Sequence, residues 1–568
     1  MTRALSHRGP DAMGLWHHGL VTLGATRLAI LDPAAPAQPM AGSRPGLCLA
    51  FNGEIYNHAE LRRELQRDGE RFITGTDTEV VLKLYERHGM GLLSRLDGMY
   101  ALAVVDGDRL FLARDRLGIK PLFYARVNDG EYQQIFAFAS EIKALLQHPA
   151  VPSRLDTQAL ADSLLIGHPT GAATFFQDIR SLPPGHLLSV TMGDSLEVHK
   201  SRSALEALPL REASMSLNEA EELLDAQLSR AASSHLAADV EVGLMLSGGL
   251  DSSLLAFYAA EHADQPMRTF SLGDHDQNAD VAQAAQVARL IGARHRHIKP
   301  DFDDYLASIP AVVAAEEQPS SLYTVPLLLG CRQIATEVKA CLNGEGADEL
   351  FGGYSDYLDR APRLAHIRAQ LPVLQHLAVR PSDGALAIIE QLTSPQNHEG
   401  YLQAVFAVNL GDALERQHLN PLDRCAMASG LEMRVPYLDQ GMLALLARIP
   451  LHHLVRSDIL VRKYLLRRLA LKRFGSAVID VVLREKIGAP VSGIFLLDRF
   501  DQLCERTLPD DYAARHPFGA CFSSRRKLLM FDFFCELFFT HRGDVSKVGD
   551  LPSFMAERAG ARQMPVPA

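Results

Sequence analysis

Leu246-Ser247-Gly248-Gly249-Leu250-Asp251-Ser252-Ser253 is the stretch on which the reading of this chain turns. It follows Val240 to Leu246, an apolar run of buried-strand length, and opens onto a helix-compatible stretch, Leu254 to Glu261. Gly248 and Gly249 let the backbone turn tightly and approach an anion with no Cβ in the way. The hydroxyls of Ser247, Ser252 and Ser253, with free N–H groups at the helix start, can grip phosphate oxygens. Asp251 would repel a phosphate unless a divalent cation lay between them, so the loop implies magnesium. No Gly-Lys-Ser/Thr is present, which excludes the phosphate loop of kinases and GTPases.

Strands and helices alternate around this loop. Ser216-Leu217-Asn218-Glu219 reads as a capping box opening a helix through Leu223, Leu224, Leu228 and Ala231. Beyond the loop the pattern predicts strands at Arg268–Leu272, Arg296–Ile298 and Ala340–Leu342, with helices over Asp280–Leu290 and Tyr323–Val338 between them. Such alternation builds a parallel sheet covered by helices, with ligands beyond the carboxyl ends of the strands. Loops 247–253, 273–279 and 343–349 lie there. The last of them opens Asn343-Gly344-Glu345-Gly346-Ala347-Asp348-Glu349-Leu350-Phe351-Gly352-Gly353-Tyr354, three carboxylates among four glycines. Beside a phosphate loop, carboxylates make sense if they hold magnesium or orient an electrophile.

The N-terminal stretch, Arg3 to about Val198, is rich in short strands and turns. Leu47 to Phe51 runs into Asn52-Gly53, and Tyr100 to Val105 runs into Asp106-Gly107, both read as strand then turn. Thr78 to His88 is a helix with Val80, Val81, Leu84 and Tyr85 on one face. An α+β layered domain is predicted, with a boundary in the loosened pattern of Ser201 to Met215.

The 568 residues, 47% apolar and 22% charged, suit a globular protein of several domains. A net charge of -11 argues against a nucleic-acid partner. Seven dispersed cysteines without a CxxC pair suit a reducing cytoplasm and packing roles. Met1 to Asp11 has no apolar leader, and no run approaches the roughly 20 apolar residues of a membrane span.

The phosphate loop resembles that of ATP-pyrophosphatases, which split ATP into AMP and pyrophosphate. Together with Asn343–Tyr354, Asp423-Arg424-Cys425-Ala426-Met427-Ala428-Ser429-Gly430-Leu431-Glu432-Met433-Arg434-Val435-Pro436-Tyr437-Leu438-Asp439 and Arg484-Glu485-Lys486-Ile487-Gly488, it resembles the glutamine-hydrolysing asparagine synthetases. The resemblance implies a two-domain chain: residues 1–205 a glutaminase-like α+β domain of the N-terminal-nucleophile type, residues 206–550 an α/β ATP-pyrophosphatase domain with extra helices, and 551–568 a disordered tail. It implies ATP and Mg2+ as cofactors. Leu246, Ser247, Gly248, Gly249, Asp251, Ser252, Ser253, Leu272, Asn343 and Gly344 would hold ATP, and Asp251 and Asp348 the magnesium. Glu345 would steer or deprotonate ammonia as it attacks an adenylated carboxylate, and Lys486 would offset charge growing on the phosphates. β-Lactam-forming relatives carry tyrosine where this chain has Glu345, which favours ammonia as nucleophile. Asn343 stands where the family usually has serine, and Glu317-Gln318-Pro319 where it often has Asp-Glu-Pro. These departures bear on the acceptor carboxylate more than on adenylation.

His7-Arg8-Gly9-Pro10-Asp11, Arg27 to Asp32, Phe51 to Asn57, Gly75 to Glu79 and Ala113 to Tyr124 resemble the glutaminase half of the same family. By that resemblance Arg27 pairs with the carboxylate of glutamine, Asp77 and Glu54 hold its ammonium, and Asn52 with the Gly53 amide stabilises the oxyanion. The family's nucleophile is a cysteine at the mature N-terminus. This chain reads Met1-Thr2-Arg3, and its first cysteine, Cys48, lies in an apolar strand. Two expectations compete: Met1 corresponds to a methionine inside the family's domain and translation starts upstream, or the domain is a relic and free ammonia is the donor. N-terminal sequencing separates them.

The leading expectation is an ATP-dependent amide-forming ligase acting on aspartate with ammonia or glutamine, without nucleic-acid or membrane partners, a homodimer being left open. The alternatives are a ligase for a natural-product or peptide carboxylate and a non-catalytic ATP-binding homologue. A tRNA-modifying ATP-pyrophosphatase would need a basic surface and a cysteine pair that the sequence lacks.

Overall fold

The computed structural model describes residues 1–128, 134–191, 197–202, 215–273, 278–376, 380–475, 479–483 and 491–561. The N-terminal half is layered. Its strands are β1 (Ala12–His18), β2 (Val21–Arg27), β3 (Met40–Ala41), β4 (Leu47–Ile55), β5 (Gly98–Asp106), β6 (Arg109–Arg114), β7 (Phe123–Asn128), β8 (Gln134–Ala139), β9 (Ile179–Ser181), β10 (His186–Thr191) and β11 (Glu197–Arg202). An antiparallel sheet runs in the order β11-β10-β6-β5-β4-β3, with the smaller sheets β1-β2 and β8-β7-β9 beside it.

Strand β5 shows why the sequence demands layers. Successive side chains point to opposite faces. Tyr100, Leu102 and Val104 pack on the helices α1 (His58–Arg67) and α2 (Asp77–His88), joining Leu61, Val80, Val81 and Leu84. The smaller Ala101, Ala103 and Val105 face the other way, against Leu23, Leu112, Leu122 and Leu188. A strand buried on both faces has no polar alternation, hence the continuous apolar run. The expected helix 78–88 and the Asp106-Gly107 turn stand, with Gly107 at φ +63°. Asn52-Gly53 does not turn: β4 runs through it to Ile55, and Gly53 lies opposite Tyr100. The glycine serves close approach instead, because a Cβ there would lie 2.1 Å from the Met99 carbonyl oxygen.

In the C-terminal half Ser216 accepts from the Glu219 amide at 3.3 Å and starts helix α3 (Leu217–His235), which buries Leu224, Leu228 and Ala231. The predicted alternation follows as β12 (Val242–Met245), α4 (Leu250–His262), β13 (Arg268–Leu272), α5 (Ala279–Leu290), β14 (Arg294–Ile298), a helix at Val325–Ile334 and β15 (Ala340–Leu342). A fifth strand, β16 (Glu432–Arg434), falls in the motif 423–439 and is too short for its pattern to reveal. All four pairings are parallel, in the order β14-β13-β12-β15-β16. The chain moves outward from β12 to β14, then returns to the other side of β12 as β15. The switch point of the sheet therefore lies between β12 and β15, where loops 247–253 and 343–349 emerge.

The segment expected as a disordered tail is corrected in part. Leu551–Gly560 is a helix capped by Asp550, burying Leu551, Phe554 and Met555, and its Arg558 pairs with Glu536 at 2.8 Å. The i, i+3, i+4 spacing of those apolar side chains gives one continuous buried stripe. Residues 562–568 lie outside the described set, as does most of the expected boundary at 201–215. Among the described residues no helix is long and apolar enough to cross a membrane.

Candidate active site

Gly248 takes φ +77°, and a Cβ on it would meet the Asp280 carbonyl oxygen at 2.4 Å, so only glycine fits the turn. Gly249 caps α4, whose first amides point out of the turn. Ser252 Oγ lies 2.9 Å from Ser247 Oγ and accepts from the Ser247 amide at 3.1 Å, which closes the loop on itself. Ser253 Oγ is buried without a partner. The β15 loop comes in from the side, where a Cβ on Gly344 would stand 3.3 Å from the Ser252 amide nitrogen. Asn343 shapes that loop: its side-chain oxygen accepts from the Glu345 amide at 2.8 Å while its own amide donates to Arg434 O at 2.8 Å. Leu246 is fully buried, and Leu272 is half-buried at the end of β13.

Asp251 and Asp348 converge on a residue that sequence reasoning missed. Lys463 pairs with Asp251 Oδ2 and lies 2.6 Å from Asp348 Oδ1. It takes φ +53° where it caps helix α6 (Tyr464–Phe474). Gly353 makes room for it: a Cβ there would collide with Asp348 Oδ1 at 1.7 Å and with Lys463 Cε at 2.3 Å. Asp251 Oδ1 remains buried with no hydrogen-bond partner. Two carboxylates converging on one ammonium, with Asp251 Oδ1 orphaned beside them, leave hard oxygen donors that fit a divalent cation. Lys486 and loop residues 274–277 lie outside the described residues.

Next to the aspartates, Glu345 and the buried Glu349 flank His418, with Nδ1 3.0 Å from Glu345 Oε1 and Nε2 3.3 Å from Glu349 Oε1. Tyr354 donates to Glu349 Oε1 at 2.5 Å and stacks on the His418 ring. Burial alone would lower the imidazole, but the Glu345 hydrogen bond and the charges of Glu349, Glu345 and Asp348 overcome it and raise His418 to about 9.

The second site is a cavity of about 530 Å³ in the N-terminal half. Arg27, Asn52, Gly53, Glu54 and Asp77, the five residues expected to hold glutamine, all line it. Asn52 Nδ2 is buried with no partner, a donor available to an oxyanion. Arg27 spends its guanidinium on the carbonyls of Leu31, Asp32 and Ala35, at 2.7–2.9 Å, and so sets the wall of the pocket. Burial raises Asp77 to about 6, against the Ile55 amide that donates to it at 3.0 Å. Glu54 faces the other half, ion-paired with Arg434 at 2.8 Å. Met427 and Glu432 of the C-terminal half also line the cavity. None of the seven cysteines does; all are buried, and burial pushes the Cys48 thiol up to about 12.

Buried ion pairs join the two halves. Arg8 reaches Glu141 at 3.0 Å and Asp423 at 2.7 Å, Lys120 reaches Asp423 at 3.2 Å, and Arg114 reaches Glu415 at 2.8 Å. Arg434 is saturated by Glu54, Glu432 and the carbonyls of His235 and Ala237. Glu317, part of the departing Glu-Gln-Pro triplet, accepts from the Ile142 amide at 2.8 Å and the Lys143 amide at 2.6 Å, and pairs with Arg424 at 2.5 Å. It belongs to this seam.

A phosphate loop and paired aspartates at the switch point of a parallel sheet, joined to a layered domain with a polar-lined cavity, mark the class of ATP-dependent ligases fed by an amidotransferase domain. Residues 1–200 match the glutamine amidotransferase domain family, and residues 223–544 the asparagine synthase family. The asparagine synthetase [glutamine-hydrolyzing] 1 of Bacillus subtilis is 29% identical over 540 residues, 86% of this chain and 83% of the relative. Asparagine synthetase [glutamine-hydrolyzing] 3 of the same organism is 30% identical over 79% of this chain and 77% of its own length. A Mycobacterium tuberculosis protein provisionally given the same enzyme name is 32% identical over 86% of this chain and 82% of its own. The chain belongs to the asparagine synthase family. It is an ATP-dependent carbon–nitrogen ligase with a glutamine amidotransferase domain.

Proposed function

We propose that the chain activates a carboxylate, in the first place that of aspartate, as an acyl-adenylate and converts it to the amide with ammonia. A carboxylate oxygen attacks the α-phosphorus of ATP, the bond to the β-phosphate breaks and pyrophosphate leaves. Ammonia then adds to the acyl carbon, AMP leaves and the nitrogen loses a proton. The observation that carries this reading is the meeting of loop 247–253, the Asp251–Lys463–Asp348 clasp and Glu345 at one switch point.

Ser247, Ser252, Ser253 and the first amides of α4 grip the pyrophosphate. Mg2+ held by Asp251 and Asp348 would supply charge that makes pyrophosphate a better leaving group. Lys463 adds a fixed positive charge there, and Lys486 takes the same part by family resemblance. Glu345 accepts the ammonia proton. Glu349 Oε2, buried and without a partner, suits an ammonium or amino group of a substrate. Aspartate as acceptor rests on the names of the relatives.

The cavity suits glutamine, with Arg27 setting its wall and Asn52, Glu54 and Asp77 lining it. The purified chain is incubated with ATP, Mg2+, aspartate and ammonium, and asparagine, AMP and pyrophosphate are measured. Equimolar products are expected. ATP binding with no AMP from any carboxylate offered would overturn ligase chemistry, and AMP with a different amide would overturn aspartate alone.

A further inference from the structure

The acidic pair in the C-terminal half has a partner that neither loop motif contains. His418 belongs to Asn409–Leu419, where the helix widens into a π-helical turn. Such turns are rare and displace a side chain from the ordinary helical row. This one presents its imidazole between Glu345 Oε1, at 3.0 Å, and Glu349 Oε1, at 3.3 Å. Both ring nitrogens therefore face carboxylates. A neutral imidazole has one donor and would set a lone pair against one of those oxygens, whereas the imidazolium donates to both. Three restraints fix the ring: the Glu345 hydrogen bond, the Glu349 ion pair and the Tyr354 face, its centroid 5.8 Å away at 28°.

We propose that His418 is the positioning residue of the amide-forming step, its ring holding the Glu345 carboxylate aimed at the incoming ammonia. The inference rests on the role given to Glu345 above. Glu345 is only partly buried and reaches its place from a glycine-flanked turn, so its side chain needs an external tether to keep one rotamer. Glu349, almost wholly buried, anchors the far side of the ring.

The two half-reactions separate this role from a general one. Carboxylate-dependent exchange of labelled pyrophosphate into ATP reports adenylation, and amide formed per AMP reports capture by ammonia. His418→Ala is expected to keep exchange within about threefold, while kcat/KM for ammonium falls about 10²-fold and AMP outruns amide. His418→Asn keeps a donor near Nδ1 and should restore coupling towards Glu345. His418→Gln keeps one near Nε2, towards Glu349, and should not. Parallel loss of both half-reactions, unchanged amide per AMP in His418→Ala, or equal rescue by both variants would each overturn the proposal. Absence of exchange in the unmodified chain would instead sink the adenylation reading on which it stands.

Discussion

The two ligand regions are built in opposite ways. The candidate nucleotide site starts from two short loops at one point of a parallel sheet, 247–253 and 343–354, to which Lys463 and His418 are added from distant elements. The N-terminal cavity draws Arg27 from the end of β2, Asn52 to Glu54 from the end of β4, and Asp77 from the start of α2, and closes against Met427 and Glu432 of the other half. The first gathers carboxylates and hydroxyls on two turns; the second gathers its polar groups from strand faces. A site made of loops can be read from contiguous sequence, whereas a site made of strand faces exists only once the layers stack.

The contrast breaks most readily at the aspartates. Asp251→Asn or Asp348→Asn should lower carboxylate-dependent pyrophosphate release by about 10²–10³-fold while glutamine binding, followed by calorimetry, stays unchanged. Loss of both would show that the sites are one unit. The seam comes next. Arg434→Met leaves Glu54 and Glu432 buried without their cation, and urea unfolding should report a loss of about 3–5 kcal/mol. A loss under about 1 kcal/mol would mean that the halves hold together without it.

A smaller effect is set by Asp77. Raised to about 6, its carboxyl is neutral below that value and ionised above it, so it can hold an ammonium only on the alkaline side. Glutamine affinity should fall on acidification from pH 7 to 5, by about tenfold at one unit below the midpoint, and Asp77→Asn should be weak and flat. A flat profile in the unmodified chain would remove Asp77 from the binding set. Smallest of all is Cys48→Ala, expected to leave glutamine binding and ammonia-dependent turnover as they were, at a stability cost of about 1 kcal/mol. A change in either activity would put a reactive thiol where packing alone is assigned.

The parallel sheet, its phosphate loop and the helix over 78–88 were legible because apolar period and glycine placement are local signals. Asn52-Gly53 misled because its turn chemistry matches a hairpin, while the glycine in fact answers to the Met99 carbonyl across the sheet. Lys463 and His418 could not be read: one sits in an αL cap, the other on a π-helical turn, and neither conformation has a sequence period. The amphipathic stripe Leu551, Phe554, Met555 was there to be seen and was passed over for its position near the end. Glu317 reads as a departure in a substrate motif, yet its carboxylate is spent on Ile142, Lys143 and Arg424, contacts more than a hundred residues away in the chain.

Lys463 has a consequence for anyone who would move this site elsewhere. It meets Asp251 across 212 residues of chain, and Gly353 is the vacancy into which it fits. Grafting loop 247–253 onto another scaffold would transplant the hydroxyls and one aspartate but leave the ammonium group behind. The donor loop is a half-key; what turns the lock is carried by a distant helix cap and a missing methyl group.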